Sequence, residues 1–200
     1  MDIPSNIDTV ILIGPKHSGK TSTGKSLAML CGGTFIDLDE CIEKRAGKSV
    51  RDLYRESPGI FRQAEAEALA ALFAENAPDA ARPPAKPALR IIAAGGGLVD
   101  NEAALSLLRQ PAPRRALLVY LEVSAETAWA RIGKKASEAG ELPPFLNTGN
   151  PRETHRRLHE RRASSYRKLA GLTVNAGEKA PAALAEEILR YLTRQQCAAV

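Results

Sequence analysis

One short segment near the beginning of the chain restricts the fold more than any other feature. Two glycines, at positions 14 and 19, are followed by a lysine and a hydroxyl residue, and the segment comes directly after the apolar run 10–13. Glycines let the backbone curl so that successive N–H groups point at phosphate oxygens, and a helix that starts there adds its positive end. Residues 14–21 therefore predict a strand, a phosphate-binding loop and a helix, in that order.

The residue types in this loop also predict what each position does. The Lys20 ammonium is expected to reach the β- and γ-phosphates, and the Thr21 hydroxyl to be a ligand of Mg²⁺. We expect the nucleotide to be bound by Gly14, His17, Ser18, Gly19, Lys20, Thr21 and Ser22. The loop thus indicates a nucleoside triphosphate with Mg²⁺; the alternative is a glycine-rich turn that only joins a strand to a helix.

Composition agrees with a compact protein that binds an anion. The chain has 200 residues, of which 44% are hydrophobic, so a single domain over residues 1–200 is expected. Its net charge of +5, from 28 basic and 23 acidic residues, suits an anionic ligand and is too small to require nucleic acid. The three cysteines are odd in number and lack C-x-x-C spacing, which disfavours a disulfide framework or a zinc site.

The same features predict where the protein works. Its cysteines suit a reducing cytosol, residues 1–8 lack the basic and apolar stretches of a signal peptide, and no run approaches about 18 apolar residues. We therefore expect a cytoplasmic monomer that acts on a small molecule, with no membrane and no nucleic-acid partner.

Short apolar runs alternate with helical patterns along the chain. Because each run is continuously apolar, the runs predict strands covered on both faces, hence an α/β fold with a parallel sheet of about five strands flanked by helices. The strand candidates are residues 10–13, 34–36, 89–94, 116–121 and 172–174, and the helix candidates are 20–31, 39–46, 49–55, 60–75, 101–109, 125–132, 152–169 and 181–194.

Two segments interrupt this alternation. Residues 76–88 are rich in proline and alanine, which predicts an extended surface loop without chemistry of its own. Residues 133–150 mix glycines, prolines and charges, and a loop of this length in a compact domain is often a moving lid.

Two aspartates follow the second predicted strand. Asp37 and Asp39 lie one residue apart, and parallel sheets bind ligands beyond the carboxyl ends of their strands, so both are expected near the phosphate loop. Strand alternation would point both side chains the same way. We expect Asp37 to hold Mg²⁺ and Asp39 to orient or deprotonate an acceptor hydroxyl. The alternative is structural, with Asp39 as the N-cap of the next helix.

Glycines and arginines elsewhere suggest where the acceptor binds. Gly95, Gly96 and Gly97 follow the third predicted strand, where backbone N–H groups can approach a ligand closely, although such glycines can also be merely flexible. Arg62 and Arg162 could each grip a carboxylate or phosphate with two N–H groups, or be ordinary solvated surface residues. Glu65 is expected to pair with Arg62 one helical turn away.

Taken together, these motifs resemble those of the shikimate kinase family. The matching blocks are 14–21, Asp37 and Asp39 with 47–50, Arg62 with Glu65, 95–97, and Arg162 with Tyr166. The resemblance implies a three-layer P-loop kinase fold, ATP and Mg²⁺ as cofactors, catalytic roles for Lys20 and Asp39, and metal binding by Thr21 and Asp37. It further implies that Arg131 lies against the adenine and that Asp39, Arg62, Gly95, Gly96, Gly97 and Arg162 bind the acceptor.

The chain departs from that family mainly in the lid. Family lids usually carry an arginine that swings over the phosphates, and Pro143 stands at its place here. An arginine supplied to phosphoryl transfer can be worth roughly 10³ or more in rate. The candidates for a substitute cation are Lys134, Lys135, Arg152 and Arg156. Ser57 and Pro58 replace a family Gly-Glu pair, and residues 175–177 lack an arginine often found beside the adenine.

The leading hypothesis is ATP-dependent phosphorylation of a hydroxyl on a small carboxylated polyol, first of all shikimate to shikimate 3-phosphate. One alternative is a kinase for another acceptor such as gluconate, with 143–145 remodelling the roof of the pocket. A second is a non-catalytic ATP-binding module. A third is a nucleic-acid kinase or motor that uses the arginines between 152 and 168, which could also simply be the basic helix beside the lid.

Overall fold

The protein is described from a computed structural model that covers residues 7–74, 88–109 and 116–197. The strands are β1 (Thr9–Ile13), β2 (Thr34–Asp37), β3 (Arg90–Ala93), β4 (Ala116–Glu122) and β5 (Leu172–Asn175). The α-helices are α1 (Lys20–Cys31), α2 (Leu38–Ala46), α3 (Val50–Glu56), α4 (Pro58–Ala74), α5 (Glu102–Arg109), α6 (Ala125–Ala139), α7 (Pro151–Leu169) and α8 (Pro181–Cys197). Short 3₁₀ helices lie at Leu98–Asp100 and Pro144–Leu146.

All five strands form one parallel sheet in the order β2-β3-β1-β4-β5. The first strand lies in the middle, with Val10 beside Ile91 of β3 on one side and Leu117 of β4 on the other. Every residue of β1 is buried. The predicted α/β fold with a parallel sheet of about five strands is therefore confirmed.

The two faces of the sheet carry separate hydrophobic cores. Val10 and Leu12 pack with side chains from α1 and α8, whereas Ile11 and Ile13 pack with side chains from α2 and α4. Alternate residues of a strand point to opposite faces, so one continuously apolar run serves both cores. The result is the predicted three-layer arrangement, with helices on both sides of the sheet.

One predicted boundary is clearly wrong. We expect a helix over 125–132 and a loop from 133, but α6 continues to Ala139. Gly133 costs a helix only about 1 kcal/mol, and the residues after it suit a helix, with Lys135 pairing with Glu138. The helix ends at Gly140, whose φ of 76° is the left-handed conformation common after helices. The segment predicted as a lid therefore begins with two turns of helix.

Two further expectations concern the surface loop and membrane-spanning segments. Of the predicted surface loop 76–88, residues 76–87 lie outside the described residues, and residue 88 is exposed. None of the helices in the described ranges combines the length and apolar character that a membrane span requires.

Candidate active site

The phosphate loop leaves β1 through a backbone that only certain residues tolerate. Gly14 has a φ of 146°, and a Cβ there would lie 2.7 Å from the carbonyl oxygen of Leu121 on β4. Gly19 has a φ of 97° and precedes the first residue of α1. His17, at φ 61°, is the non-glycine residue of positive φ found in the described ranges. Strain of this kind is common where a backbone is shaped for a ligand.

Lys20 is enclosed by the loop. Its side chain is buried, and its ammonium donates to the carbonyl oxygens of Gly14 at 2.9 Å and Pro15 at 2.8 Å. Burial lowers the pKa of Lys20 to about 8, although the carboxylate of Asp39 acts in the opposite direction. The ammonium of Lys20 therefore lies at the centre of the loop, where two carbonyl oxygens compensate its charge only in part.

Burial also affects two other polar side chains of the loop. Burial, and the charges of Lys16 and Lys20, lower the pKa of His17 to about 4, so its imidazole is neutral at pH 7. Ser18 is buried, and its Oγ has no hydrogen-bond partner within the described residues. The Ser18 side chain does not line the cavity described below, so its hydroxyl is not itself placed against a ligand.

Asp37 lies at the carboxyl end of β2, opposite the phosphate loop. Its Oδ2 accepts from Thr21 Oγ1 at 3.0 Å, and its Oδ1 accepts from the backbone N–H of Asp39 at 3.0 Å. Asp37, rather than Asp39, is therefore the N-cap of α2. This corrects the structural alternative given above, and it also corrects the strand-alternation argument, because Asp39 already belongs to the helix.

A hydroxyl and a carboxylate in contact beside the loop fit Mg²⁺. The ion is usually held by one or two protein oxygens together with substrate phosphates and several waters. Within the described ranges no group of three or more His, Cys, Asp and Glu side chains converges on a metal site. Thr21 and Asp37 therefore suit an ion that arrives with a nucleotide, and not a closed metal site made by protein alone.

Asp39 faces the space between the loop and the third strand. Burial raises its pKa, the neighbouring Asp37 raises it further, and Lys16 and Lys20 lower it. A carboxylate in this setting can accept a hydrogen bond or a proton from a hydroxyl placed beside it.

The three glycines after β3 come into close contact with this carboxylate and with the loop. A Cβ on Gly95 would lie 2.8 Å from Oε1 of Glu65 and 3.4 Å from Oδ1 of Asp39. A Cβ on Gly96 would lie 2.7 Å from the backbone nitrogen of Lys16. Small residues are therefore needed here because the glycine turn abuts the phosphate loop.

The two predicted acceptor arginines converge on one carboxylate, that of Asp100. Arg162 donates to Asp100 Oδ2 through Nε at 2.8 Å and Nη2 at 2.6 Å, and it donates to the carbonyl oxygen of Gly96 at 3.2 Å. Arg62 lies 3.9 Å from the same carboxylate oxygen. Asp100 is absent from the residues predicted above, although a carboxylate three residues after Gly97 was a usable signal. It holds both guanidinium groups toward the cavity.

Glu65 makes a different contact from the one predicted. It does not pair with Arg62; its Oε2 accepts from Asn101 Nδ2 at 2.9 Å, and Asn101 Nδ2 also donates to the carbonyl oxygen of Arg62. Its Oε1 has no hydrogen-bond partner within the described residues. Burial raises the pKa of Glu65 to about 7, although the hydrogen bond from Asn101 opposes the shift. Asn101, like Asp100, was not predicted.

Arg131 joins the phosphate loop to the turn after β5. It donates to the carbonyl oxygen of His17 at 3.2 Å and to those of Ala176 at 3.1 Å and Gly177 at 2.6 Å. Its guanidinium thus bridges the phosphate loop and the turn after β5. This position is compatible with the predicted contact to adenine.

The segment after α6 lies over Arg162 and against α3. Phe145 lies with its ring centre 5.9 Å from the guanidinium carbon of Arg162. Glu141 pairs with Arg51 and, at 2.8 Å, with Arg55, both on α3. Pro143, the residue expected at the position of the family's lid arginine, lines the cavity. Of the predicted substitute cations, Lys134 and Lys135 line this cavity, whereas Arg152 and Arg156 line another one beside Trp129 and His155.

A single cavity of about 650 Å³ brings most of the predicted site together. The predicted residues that line it are His17, Gly19, Lys20, Thr21, Ser22, Asp37, Asp39, Arg62, Gly95, Gly96, Gly97, Arg131 and Arg162. Gly14 and Ser18, which were also predicted, are buried and do not line it. Several arginines of the basic stretch of α7 are engaged in ion pairs within the protein, Arg156 and Arg157 with Glu153 and Arg161 with Asp100.

Comparison with known proteins agrees with this geometry. The family profile of shikimate kinase matches residues 16–193. A curated shikimate kinase of Marinomonas sp. is 32% identical over 186 residues, which are 92% of this chain and 92% of the relative. Another from Thermobifida fusca is 35% identical over 183 residues, 91% of this chain and 93% of the relative.

Solved structures show the same similarity. Shikimate kinase from Acinetobacter baumannii in complex with shikimate has a TM-score of 0.77 and 27% identity, over 96% of this chain and 99% of that one. A gluconokinase from Sinorhizobium meliloti has a TM-score of 0.57 and 18% identity, over 94% of this chain and 93% of that one, and shares the fold.

Proposed function

Because this chain belongs to the shikimate kinase family of ATP-dependent small-molecule kinases, we propose that it transfers the γ-phosphoryl group of ATP to a hydroxyl group of shikimate. The observation that carries the proposal is the single cavity, which has the phosphate loop at one end and Asp39 with two arginines at the other. We further propose that it works as a monomer, since all these residues come from one chain. The cytoplasmic location stays a prediction.

The phosphate end would bind the nucleotide. Lys20 would exchange its two carbonyl acceptors for β- and γ-phosphate oxygens, and the N–H groups of the loop would donate to the same phosphates. Thr21 and Asp37 would hold Mg²⁺, which when bound neutralises phosphate charge. Arg131 would stand beside the base because it already joins the two loops at that end.

The acceptor end would fix a carboxylated polyol. Arg62 and Arg162, both oriented by Asp100, supply two guanidinium groups for the acceptor carboxylate. The glycine turn lets the acceptor approach the backbone closely. Asp39 would align the attacking hydroxyl and accept its proton, and Phe145 with Pro143 would exclude water above it.

A coupled assay of ADP release tests this function. Purified protein is given Mg-ATP with shikimate, gluconate or a short oligonucleotide, and the product is identified by mass spectrometry. We expect ADP release that depends on shikimate and a product heavier by one phosphoryl group. Turnover on gluconate alone would contradict the assigned acceptor. ATP binding without any acceptor-dependent ADP would contradict the kinase function and favour a non-catalytic module.

A further inference from the structure

Most cationic side chains in the cavity already have a protein partner. Lys20 and Arg131 donate to backbone carbonyls, Arg51 pairs with Glu141, Lys135 pairs with Glu138, and Arg62 and Arg162 face Asp100. Among the described residues that line the cavity, Lys16 and Lys134 are the two lysines without a hydrogen bond or ion pair to another side chain or carbonyl. Either one has a charge available for a ligand.

Lys16 lies at the boundary between the two ends of the cavity. It is the third residue of the phosphate loop, and its backbone touches the glycine turn of the acceptor end. A Cβ on Gly96 would lie 2.7 Å from its nitrogen and 3.2 Å from its Cα. The backbone of this lysine is therefore held against Gly96, whereas its side chain is exposed to the cavity.

Lys16 shares the cavity with the groups that surround the proposed transfer. Its side chain, that of Lys20 and that of Asp39 line the same cavity. The glycine turn that contacts the Lys16 backbone also contacts Asp39, because a Cβ on the preceding Gly95 would lie 3.4 Å from Asp39 Oδ1. Lys16 therefore enters the cavity where the phosphate loop and the Asp39 carboxylate come together.

Lys134 does not have this placement. It lies on α6 beside Glu138, whose pKa is lowered by its hydrogen bond to Lys135 and also by Lys134. Lys134 is a residue of α6, whereas Lys16 belongs to the phosphate loop itself. Its charge thus belongs to the outer wall of the cavity.

On the basis of the proposed kinase function, we propose that Lys16 is a further catalytic residue whose ammonium contacts the transferred phosphoryl group. In this step the acceptor oxygen forms a bond to the γ-phosphorus as the bond from that phosphorus to the β–γ bridging oxygen breaks. The electron pair stays on ADP, and the hydroxyl proton passes to Asp39. Lys16 neutralises charge on the phosphoryl oxygens in the place where the lid of this chain has no arginine.

The test compares four variants: Lys16→Ala, Lys16→Arg, Lys134→Ala and, as a matched surface control, Lys44→Ala on α2. Removing one donor to an oxygen that carries charge in the transition state typically costs on the order of 10²-fold in kcat. We expect a loss of about 10- to 100-fold in kcat for Lys16→Ala, recovery of most of it in Lys16→Arg, and changes within about threefold for the other two.

A binding measurement gives a second readout. Calorimetry with Mg-ADP alone, and with Mg-ADP plus aluminium fluoride as a mimic of the transferring phosphoryl group, is run with and without shikimate. Lys16→Ala should weaken the fluoroaluminate complex at least tenfold relative to ADP. Unchanged kcat and fluoroaluminate affinity would overturn the proposal, as would the same losses in Lys134→Ala. If the unmodified protein failed to phosphorylate shikimate, the proposed function would fall, and the fluoroaluminate data would still decide the role of Lys16.

Discussion

At the scale of single residues, burial gives two carboxyl groups different chemistry. Asp39 lies between the phosphate loop and the acceptor arginines, where positive charges oppose the effect of burial on its pKa. Glu65 lies deeper, held by Asn101, and its pKa reaches about 7. The first is placed to handle a proton, whereas the second supports the wall of the pocket.

Asp39→Asn keeps the size of the side chain and removes its charge. Because the proposed partner of Asp39 is the acceptor hydroxyl, we expect kcat to fall by about 10²- to 10⁴-fold while the Kd for ATP changes by less than about threefold. Steady-state kinetics and ATP titration measure the two quantities. Glu40→Gln, at the exposed neighbouring position, is the control and should leave both unchanged. An undiminished rate in Asp39→Asn would remove this residue from catalysis.

Glu65 makes stability depend on pH. Its pKa is raised from 4.5 to about 7 in the folded protein, so the folded state holds more protons than the unfolded state between these values. The contribution of Glu65 to the free energy of unfolding should therefore be full below about pH 4.5, fall by about 3 kcal/mol as the pH rises toward 7, and be absent above.

Glu65→Gln should remove this decline. Urea unfolding of both proteins at pH 5, 6, 7 and 8 gives the difference in stability at each pH. The exposed Glu67→Gln on the same helix is the control and should run parallel to the unmodified protein. A difference between Glu65→Gln and the unmodified protein that did not change with pH would show that Glu65 ionises normally.

At the scale of elements, the glycine turn after β3 is where two parts of the fold meet. Its middle residue, Gly96, contacts the backbone of the phosphate loop, and the carbonyl oxygen of Gly96 accepts a hydrogen bond from the Tyr166 hydroxyl at 2.7 Å. A Cβ built on its last residue, Gly97, would lie 3.5 Å from Nη2 of Arg162. The turn therefore sets the distance between α7 and the loop. Tyr166 in turn stacks on Tyr120 of β4, which ties α7 to the sheet.

Gly96→Ala should break this arrangement. The added Cβ would lie 2.7 Å from a backbone nitrogen, which cannot move aside as a side-chain end can. We expect a loss of about 1–3 kcal/mol of stability and a larger KM for the acceptor. Gly133→Ala is the matched control, because a Cβ there meets nothing within 4 Å and a helix interior gains about 0.5–1 kcal/mol from the change. Unaltered stability and KM in Gly96→Ala would show that the turn can shift freely.

At the scale of the whole molecule, the sheet brings the two ends of the site to one edge. The phosphate loop follows β1, Asp37 ends β2 and the glycine turn follows β3, and these strands are neighbours in the order β2-β3-β1. Because parallel strands end at the same edge, loops distant in sequence share one cavity. The net charge of +5 gives this cavity a favourable field for two anionic ligands.

Binding at both ends should stabilise the whole domain. At 100 times its Kd, a ligand adds about 2.7 kcal/mol to the free energy of unfolding, which in a domain of this size raises Tm by about 5–10 °C. We expect Mg-ADP and shikimate each to give such a rise, and a larger one together. Thermal unfolding with gluconate is the control. A rise with gluconate and none with shikimate would contradict the assigned acceptor.

The sequence was most informative where a short segment dictates its own backbone. The phosphate loop needs its glycines and its lysine within the eight positions 14–21. This local pattern therefore predicts both the fold class and the phosphate loop. Continuous apolar runs likewise predicted the parallel strands, of which β1 is buried throughout whereas the edge strands β2 and β5 are partly exposed. The end of α6 was missed because one glycine is a weak helix breaker and the true stop at Gly140 depends on its left-handed conformation.

Only the tertiary structure decided which side chains form hydrogen bonds and ion pairs with the predicted site residues. Arg162 and Asp100 are 62 residues apart, and Asn101 and Glu65 are 36 apart, so no local spacing links them. The contact of Lys16 with Gly96 likewise depends on two strands lying side by side. Sequence by itself therefore determined the fold class and the phosphate loop, whose backbone conformation is local. The packing of distant elements decided how the acceptor end is built, because an ion pair or a close contact forms only where the fold brings its partners together.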